Sequence, residues 1–171
     1  MFDEKFVLSM LVNNEAGVLT RVSGLFARRS FNIDSLSVGE TEKSNVSRIT
    51  IVATGNVHTK EQIIKQLEKL HDVYVVQLMD LEKTVVRELT LIKIYADHDE
   101  RSHIQEAVGV FRAKVVDLSP YSMTVELTGE NSKLNAFLAF LKPNSLTELC
   151  RTGITAIGRG DYILSKNFEK E

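Results

Sequence analysis

The stretch NNEAGVLTRV, Asn13 to Val22, joins two patterns of different period. Before it, Phe6 to Val12 is a dense apolar run of strand length. After it, Val18, Val22, Leu25 and Phe26 fall at i, i+4, i+7 and i+8, one face of a helix, while Arg21, Arg28 and Arg29 lie elsewhere. The corner between strand and helix holds two asparagines and a glycine, with no nucleophile, base or metal ligand. If Val18 opens the helix, the amides of Gly17, Val18 and Leu19 are among its orphan donors at the positive end of the macrodipole. Such amides suit a carboxylate or a phosphate. Gly17 lacks a Cβ, so a ligand can approach the backbone closely or the chain can take positive φ. Asn14 offers both a donor and an acceptor to a ligand that carries ammonium and carboxylate together. Asn32, at the start of the next strand, is expected near the far end of the helix. A free amino acid is the natural ligand of such a corner. An ordinary turn, with Asn13 and Asn14 as turn formers and Gly17 relieving strain, fits the same residues.

Working outward, Ile33 to Val38 and Arg48 to Thr54 read as strands joined by the polar run Glu40 to Asn45. Thr59 is expected to open a second helix, with Gln62 as its reciprocal capping partner. Ile63, Ile64, Leu67 and Leu70 give that helix an apolar face, and Val73 to Leu81 supplies a fourth strand. The order is βαββαβ. Glu82 to Glu88 has no Gly, Pro or Ser and predicts a tight connection rather than a loose linker. The same order then begins again. Leu89 to Ala96 is a strand, Ser102 with Gln105 reads as a capping box, and Ile104, Val108 and Phe111 fall at helical spacing. Lys114 to Leu118 and Ser122 to Thr128 predict a hairpin around Ser119-Pro120. Leu134, Phe137, Leu138 and Leu141 mark a helix that Pro143 stops, and Gly153 to Gly158 is the expected last strand. The pattern predicts an α+β chain of two ferredoxin-like βαββαβ domains, residues 1–82 and 83–171. The second and fourth strands of such a sheet are edges, and Ser35 and Ser37 alternate with Leu36 and Val38, so the second strand is suited to pairing with its twin across a two-fold axis.

Composition bounds the rest. The 171 residues are 43% hydrophobic with a formal net charge of −2, which singles out neither nucleic acid nor an anionic membrane as partner. A single Cys150 fits a reducing compartment, and no run suits a secretory signal or a membrane span, so a cytoplasmic protein is expected. The cluster DHDERSH, Asp97 to His103, spaces its histidines five apart, whereas helical ligand pairs prefer three or four; Ser102 reads as a cap and the acids as a solvated first turn, and no metal is expected. GRG at Gly158 to Gly160 is too short for a phosphate loop. No catalytic constellation emerges.

NNEAGVLTRVSGLFARRSFNIDSLSVG followed by SRITIVATG resembles the ACT domain of the small, regulatory subunit of acetohydroxyacid synthase (acetolactate synthase). RELTLIKI, VVDLSPYSMTVELTG, KLNAFLAFL and RTGITAIGRGD resemble the C-terminal domain of the same subunit, so the likeness runs from about Phe6 to Asp161. The resemblance implies a chain without chemistry or cofactor of its own that associates with a catalytic subunit. That subunit carries thiamine diphosphate, Mg and FAD and makes 2-acetolactate from pyruvate. The small subunit raises its activity and confers feedback inhibition by valine or another branched-chain amino acid, bound where two ACT domains meet in a homodimer. The positions that match the family's effector site are Asn14, Gly17, Val18, Leu19, Asn32 and Ile33. The family commonly has Gly where this chain has Ser30, between Arg29 and Phe31. A stand-alone ACT-domain sensor controlling transcription shares the corner but calls for a DNA-reading helix or basic stripe, and the sequence shows neither.

Overall fold

The computed structural model describes residues 3–141 and 145–167. The chain divides into two compact units, Met1–Val85 with Ile154–Glu171, and Val86–Gly153. In the first, β1 (Glu4–Asn13), α1 (Val18–Arg28), β2 (Ile33–Glu40), β3 (Val46–Gly55), α2 (Val57–Leu67) and β4 (Val73–Leu78) build a sheet of order β2-β3-β1-β4. All its pairings are antiparallel. Alternation along β1 sends Phe6, Leu8, Met10 and Val12 toward the helices, where they meet Val22, Phe26, Ile63 and Leu67 in one core. Val7, Ser9 and Leu11 point the other way and are buried too.

The second unit repeats the plan. β5 (Thr84–Tyr95), α3 (His98–Val110), β6 (Lys114–Ser119), β7 (Ser122–Gly129), α4 (Asn131–Phe140) and β8 (Leu146–Arg151) give the order β6-β7-β5-β8, the same arrangement as in the first sheet. Ile92, Ile94, Met123, Val125 and Leu127 pack on Ile104, Leu134 and Phe137. Phe111 meets Phe137 edge to face with ring centroids 5.4 Å apart.

Several sequence expectations shift. Asn56, not Thr59, caps α2: its Oδ1 accepts from the Thr59 amide at 3.0 Å, and Gln62 bonds His58 at 2.8 Å instead of reaching back. Asp97, not Ser102, caps α3, whose first turn includes His98; Asp97 Oδ1 accepts from the Glu100 amide at 3.0 Å. The joint expected at Glu82 to Glu88 is a 3-10 turn, Leu81–Lys83, capped by Asp80, followed directly by β5. The fourth strand of the second sheet is β8, which the sequence reading passed over. The segment read as that strand contains β9 (Thr155–Gly158), which does pair with β5 as a fifth strand, although by their contacts the described residues from Ile154 onward group with the first unit. The stop expected at Pro143 lies outside the described residues.

That C-terminal segment lies on the helix-free face of the first sheet. Ser37 Oγ donates to the Ile154 carbonyl at 2.8 Å, and the Ile154 amide donates to Ser35 Oγ at 3.0 Å. Farther along, Leu164 packs with Leu11, Val46, Tyr74 and Val75. Register places Ser37, Thr50 and Ser9 in one row across three strands of that face. Thr50 and Ser9 are both buried.

Candidate functional site

The corner quoted above ends β1 and starts α1. Gly17 is the N-cap residue, at φ 87, and no side chain caps the helix. The Val18 amide donates to the Glu15 carbonyl at a long 3.4 Å, and among the described residues no acceptor meets the amides of Gly17 and Leu19. The other helix starts differ. Asn56 and Asp97 fill α2 and α3 with side-chain oxygens, and α4, also without a cap bond, has a carboxylate at its N-cap position, Glu130. Among the described helices, α1 alone presents polarised amides at a Cβ-free N-cap with no capping side chain, beside the Arg21 guanidinium.

Asn14 braces this corner. Its amide nitrogen donates to the Ser44 carbonyl at 2.8 Å and its Oδ1 accepts from Ser47 Oγ at 2.9 Å, while its backbone N–H reaches the Asn45 carbonyl at 2.9 Å. The side chain expected to grip a ligand thus holds the turn against the β2–β3 connection, with one N–H and one lone pair to spare. Arg21, one turn into α1, donates through Nε to Asp72 Oδ2 at 2.6 Å, which offsets the cost of a cation at the positive helix end. Neither the Ser44 and Ser47 brace nor the Asp72 partner was singled out in the sequence. They come from the β2–β3 connection, the start of β3 and the turn before β4, and no local spacing announces them.

Asn32 and Ile33 stand at the other end of the unit. Asn13 pairs with Val46 and Ile33 with Ala53, so the two parts of the expected site sit at opposite ends of β3, roughly 24 Å apart at 3.4 Å per residue. Asn32 Nδ2 donates to Asp34 Oδ1 at 2.8 Å, which turns the Asn32 carbonyl oxygen outward as an acceptor. Thr54 Oγ1 donates to Asp34 Oδ2 at 2.7 Å. Chiefly through the Thr54 bond, and with help from Asn32 and Lys5 against a desolvation penalty, Asp34 titrates below the ordinary aspartate range. Within one chain, therefore, the two groups of expected site residues do not meet.

The helix starting at His98 gives the DHDERSH residues other work: Asp97 caps it, and His103 stacks on Phe140 with centroids 4.5 Å apart. No described helix is long and apolar enough to cross a membrane.

Comparison with known proteins matches both halves in order. Residues 8–75 match the family described as AHAS small subunit-like ACT domain, and residues 87–160 match the family described as small subunit of acetolactate synthase. A probable acetolactate synthase small subunit from Methanothermobacter thermautotrophicus is 45% identical over 161 residues, 94% of this chain and 96% of that protein. The acetolactate synthase small subunit of Mycobacterium bovis is 48% identical over 160 residues, 94% of this chain and 95% of its own length. The crystal structure of the acetolactate synthase small subunit from Thermotoga maritima superposes with a TM-score of 0.86 at 42% identity, covering 93% of this chain and 99% of that one. With both units matched and the likeness spanning nearly all of each relative, the chain belongs to the acetolactate synthase small-subunit family.

Proposed function

We propose that this chain binds the thiamine-diphosphate-dependent catalytic subunit of acetolactate synthase in the cytoplasm, raises its activity, and makes it sensitive to valine or another branched-chain amino acid. It has no catalysis of its own, and thiamine diphosphate, Mg and FAD belong to the partner. The matches across both halves favour this reading over a stand-alone transcriptional sensor.

The observation that carries the effector reading is the open amide corner at Gly17, together with its distance from Asn32. β2 is an edge strand. Pairing it antiparallel with its twin sets the start of one β2 beside the end of the other. That end, Glu40, pairs with Ser47, next to the Asn14 brace. A two-fold dimer through β2 thus brings Asn32 and Ile33 of one chain to the Gly17 corner of its partner, twice. The carboxylate of a bound amino acid meets the amides of Gly17, Val18 and Leu19, and its ammonium meets the outward Asn32 oxygen. A ligand shared between chains biases their relative placement, with coupling of ~1 to 3 kcal/mol typical of such effectors. Selection among aliphatic side chains rests on methyl-sized contacts of roughly 1 to 3 kcal/mol each.

The test pairs two substitutions in the complex reconstituted with the catalytic subunit. Gly17→Ala and Gly17→Asp both place a Cβ at φ 87, where Asp is strained no more than Ala, but only the second puts a negative charge where the ligand carboxylate sits. Gly17→Asp is expected to abolish inhibition, while Gly17→Ala weakens it. Full valine sensitivity in Gly17→Asp, or no calorimetric binding of valine, leucine or isoleucine to the purified chain, defeats the site.

A further inference from the structure

The helix-free face of the first sheet holds an arginine whose bonding is incomplete. Arg48, on β3, makes one hydrogen bond among the described residues, from Nε to Ser9 Oγ at 2.9 Å. Its Nη2 is buried with no partner among the described residues. A guanidinium carries five donors and keeps its charge, so a buried donor left unmet is costly unless something else satisfies it. Burial depresses the basicity of Arg48, while Tyr162 and Glu42 favour its charge.

The Arg48 side chain lines a cavity of about 160 Å³. Leu11, Ile157 and Leu164 supply apolar wall, and Thr41, Tyr162 and Ser165 supply hydroxyls. The space matches about five waters at their share of liquid volume. None of the residues of the Gly17 corner lines it.

We propose that this cavity is a second ligand site that takes a small monocarboxylate of two to four carbons. The carboxylate pairs with the guanidinium, whose planar fork suits two oxygens side by side. The aliphatic end lies against Leu11, Ile157 and Leu164. Glu42 and Lys43 are both in the wall and offset one another, so Arg48 supplies the one uncompensated positive charge, which suits a single carboxylate, and Glu42 weakens the pull on it.

Thermal unfolding of the full chain tests the site with acetate, butyrate, pyruvate or inorganic phosphate, each against chloride at equal ionic strength. Butyrate or pyruvate is expected to raise the transition saturably, by about 2 to 4 °C at five times its Kd; which of them binds more tightly separates plain from 2-oxo carboxylates. Arg48→Met, which keeps the packing stem and drops the unmet charge, is expected to unfold no earlier than the parent in chloride and to lose the anion response. Glu42→Gln tightens binding several-fold and decides the matter if Arg48→Met does not fold. The proposal fails if no carboxylate exceeds chloride, if Arg48→Met responds as the parent does, if phosphate matches butyrate, or if Glu42→Gln leaves the affinity unchanged.

Discussion

Ser30 holds a backbone conformation that a side chain resists. At φ 56 it closes α1: its amide donates to the Ala27 carbonyl at 3.1 Å, and the Phe31 amide donates to the Phe26 carbonyl at 3.0 Å. The departure from glycine noted in the sequence therefore falls where φ is positive. Ser30→Gly relieves the left-handed strain and pays back part of it as unfolded-chain entropy, for a net gain of about 0.5 to 1 kcal/mol. A urea midpoint that moves upward at constant slope records it, and an unchanged or lower midpoint refutes it. Asp34 makes the opposite kind of case, a bond between strands visible only in three dimensions. Because its folded pKa is depressed, the stability it contributes is complete above the ordinary aspartate value, about pH 4, and is lost as pH falls through the depressed one. Removing the main cause with Thr54→Val is expected to destabilise at neutral pH, with the deficit shrinking in acid. A deficit independent of pH contradicts this assignment. Gly17 could be read from sequence because glycine before a helical period has few uses. The brace on Asn14 and the bond between Thr54 and Asp34 could not, since each joins residues far apart in the chain.

Among the elements, the repeated pattern was legible and one edge strand, β8, was not. The change from period 2 to period 3.6 revealed both βαββαβ units, and the same helix ending recurs in each. Arg112, at φ 50, donates to the Gly109 carbonyl at 3.2 Å, and Ala113 donates to that of Val108 at 2.9 Å, as Ser30 and Phe31 do in α1. β8 escaped notice because LTELCR is exposed along its whole length and mixes Glu148 and Arg151 with its apolar residues, so burial left no alternation to find. The caps misled for another reason: Thr59 with Gln62, and Ser102 with Gln105, have capping-box spacing but fall inside helices already begun at Val57 and His98. Asn56→Ala should therefore cost about 1 kcal/mol, whereas Gln62→Ala costs only a few tenths. Equal losses from the two, measured by denaturant unfolding, argue for the original capping box. β8 also supplies Arg151, whose Nε donates to Glu88 Oε1 at 2.9 Å and whose Nη2 bonds Glu88 Oε2, a bidentate pair that raises the guanidinium pKa. Glu88 is buried and Arg151 is partly exposed, so the pair is asymmetric. Arg151→Ala strands a buried carboxylate and is expected to cost up to about 3 kcal/mol, more than Glu88→Gln, which leaves a neutral amide in place. If Glu88→Gln proves the more damaging, the carboxylate is not the group that needs its partner.

At the scale of the whole molecule, the sequence reading treated the chain as two consecutive halves, and what it did not show is the return of the last residues to the first unit. Ile154 to Leu164 follows the second unit in sequence yet packs on the first sheet, held at one end by Ser35 and Ser37 and at the other by Leu164 on Leu11 and Val46. No local period marks such a return, because its partners lie more than a hundred residues earlier. The burial of β1 on both faces follows from it: Leu8 and Met10 are covered by helices, while Ser9 and Leu11 lie on the face that carries this segment. The same strand that offers its edge to a twin in the proposed dimer, β2, is thus tied through its serine side chains to the C-terminal segment. Ending the chain after Gly153 removes that cover, and burying Leu164 alone is worth about 1.5 to 3 kcal/mol. Hydrogen exchange of the shortened chain should show lost protection at the amides of β1 and β3, with β7 as internal reference. The double substitution Ser35→Ala with Ser37→Ala should show a smaller loss confined to β2 and its ladder with β3. Unchanged protection in β1 after truncation means that the second face of this sheet is shielded by something other than the returning segment, and the link from β2 to the C-terminal residues then carries no stability.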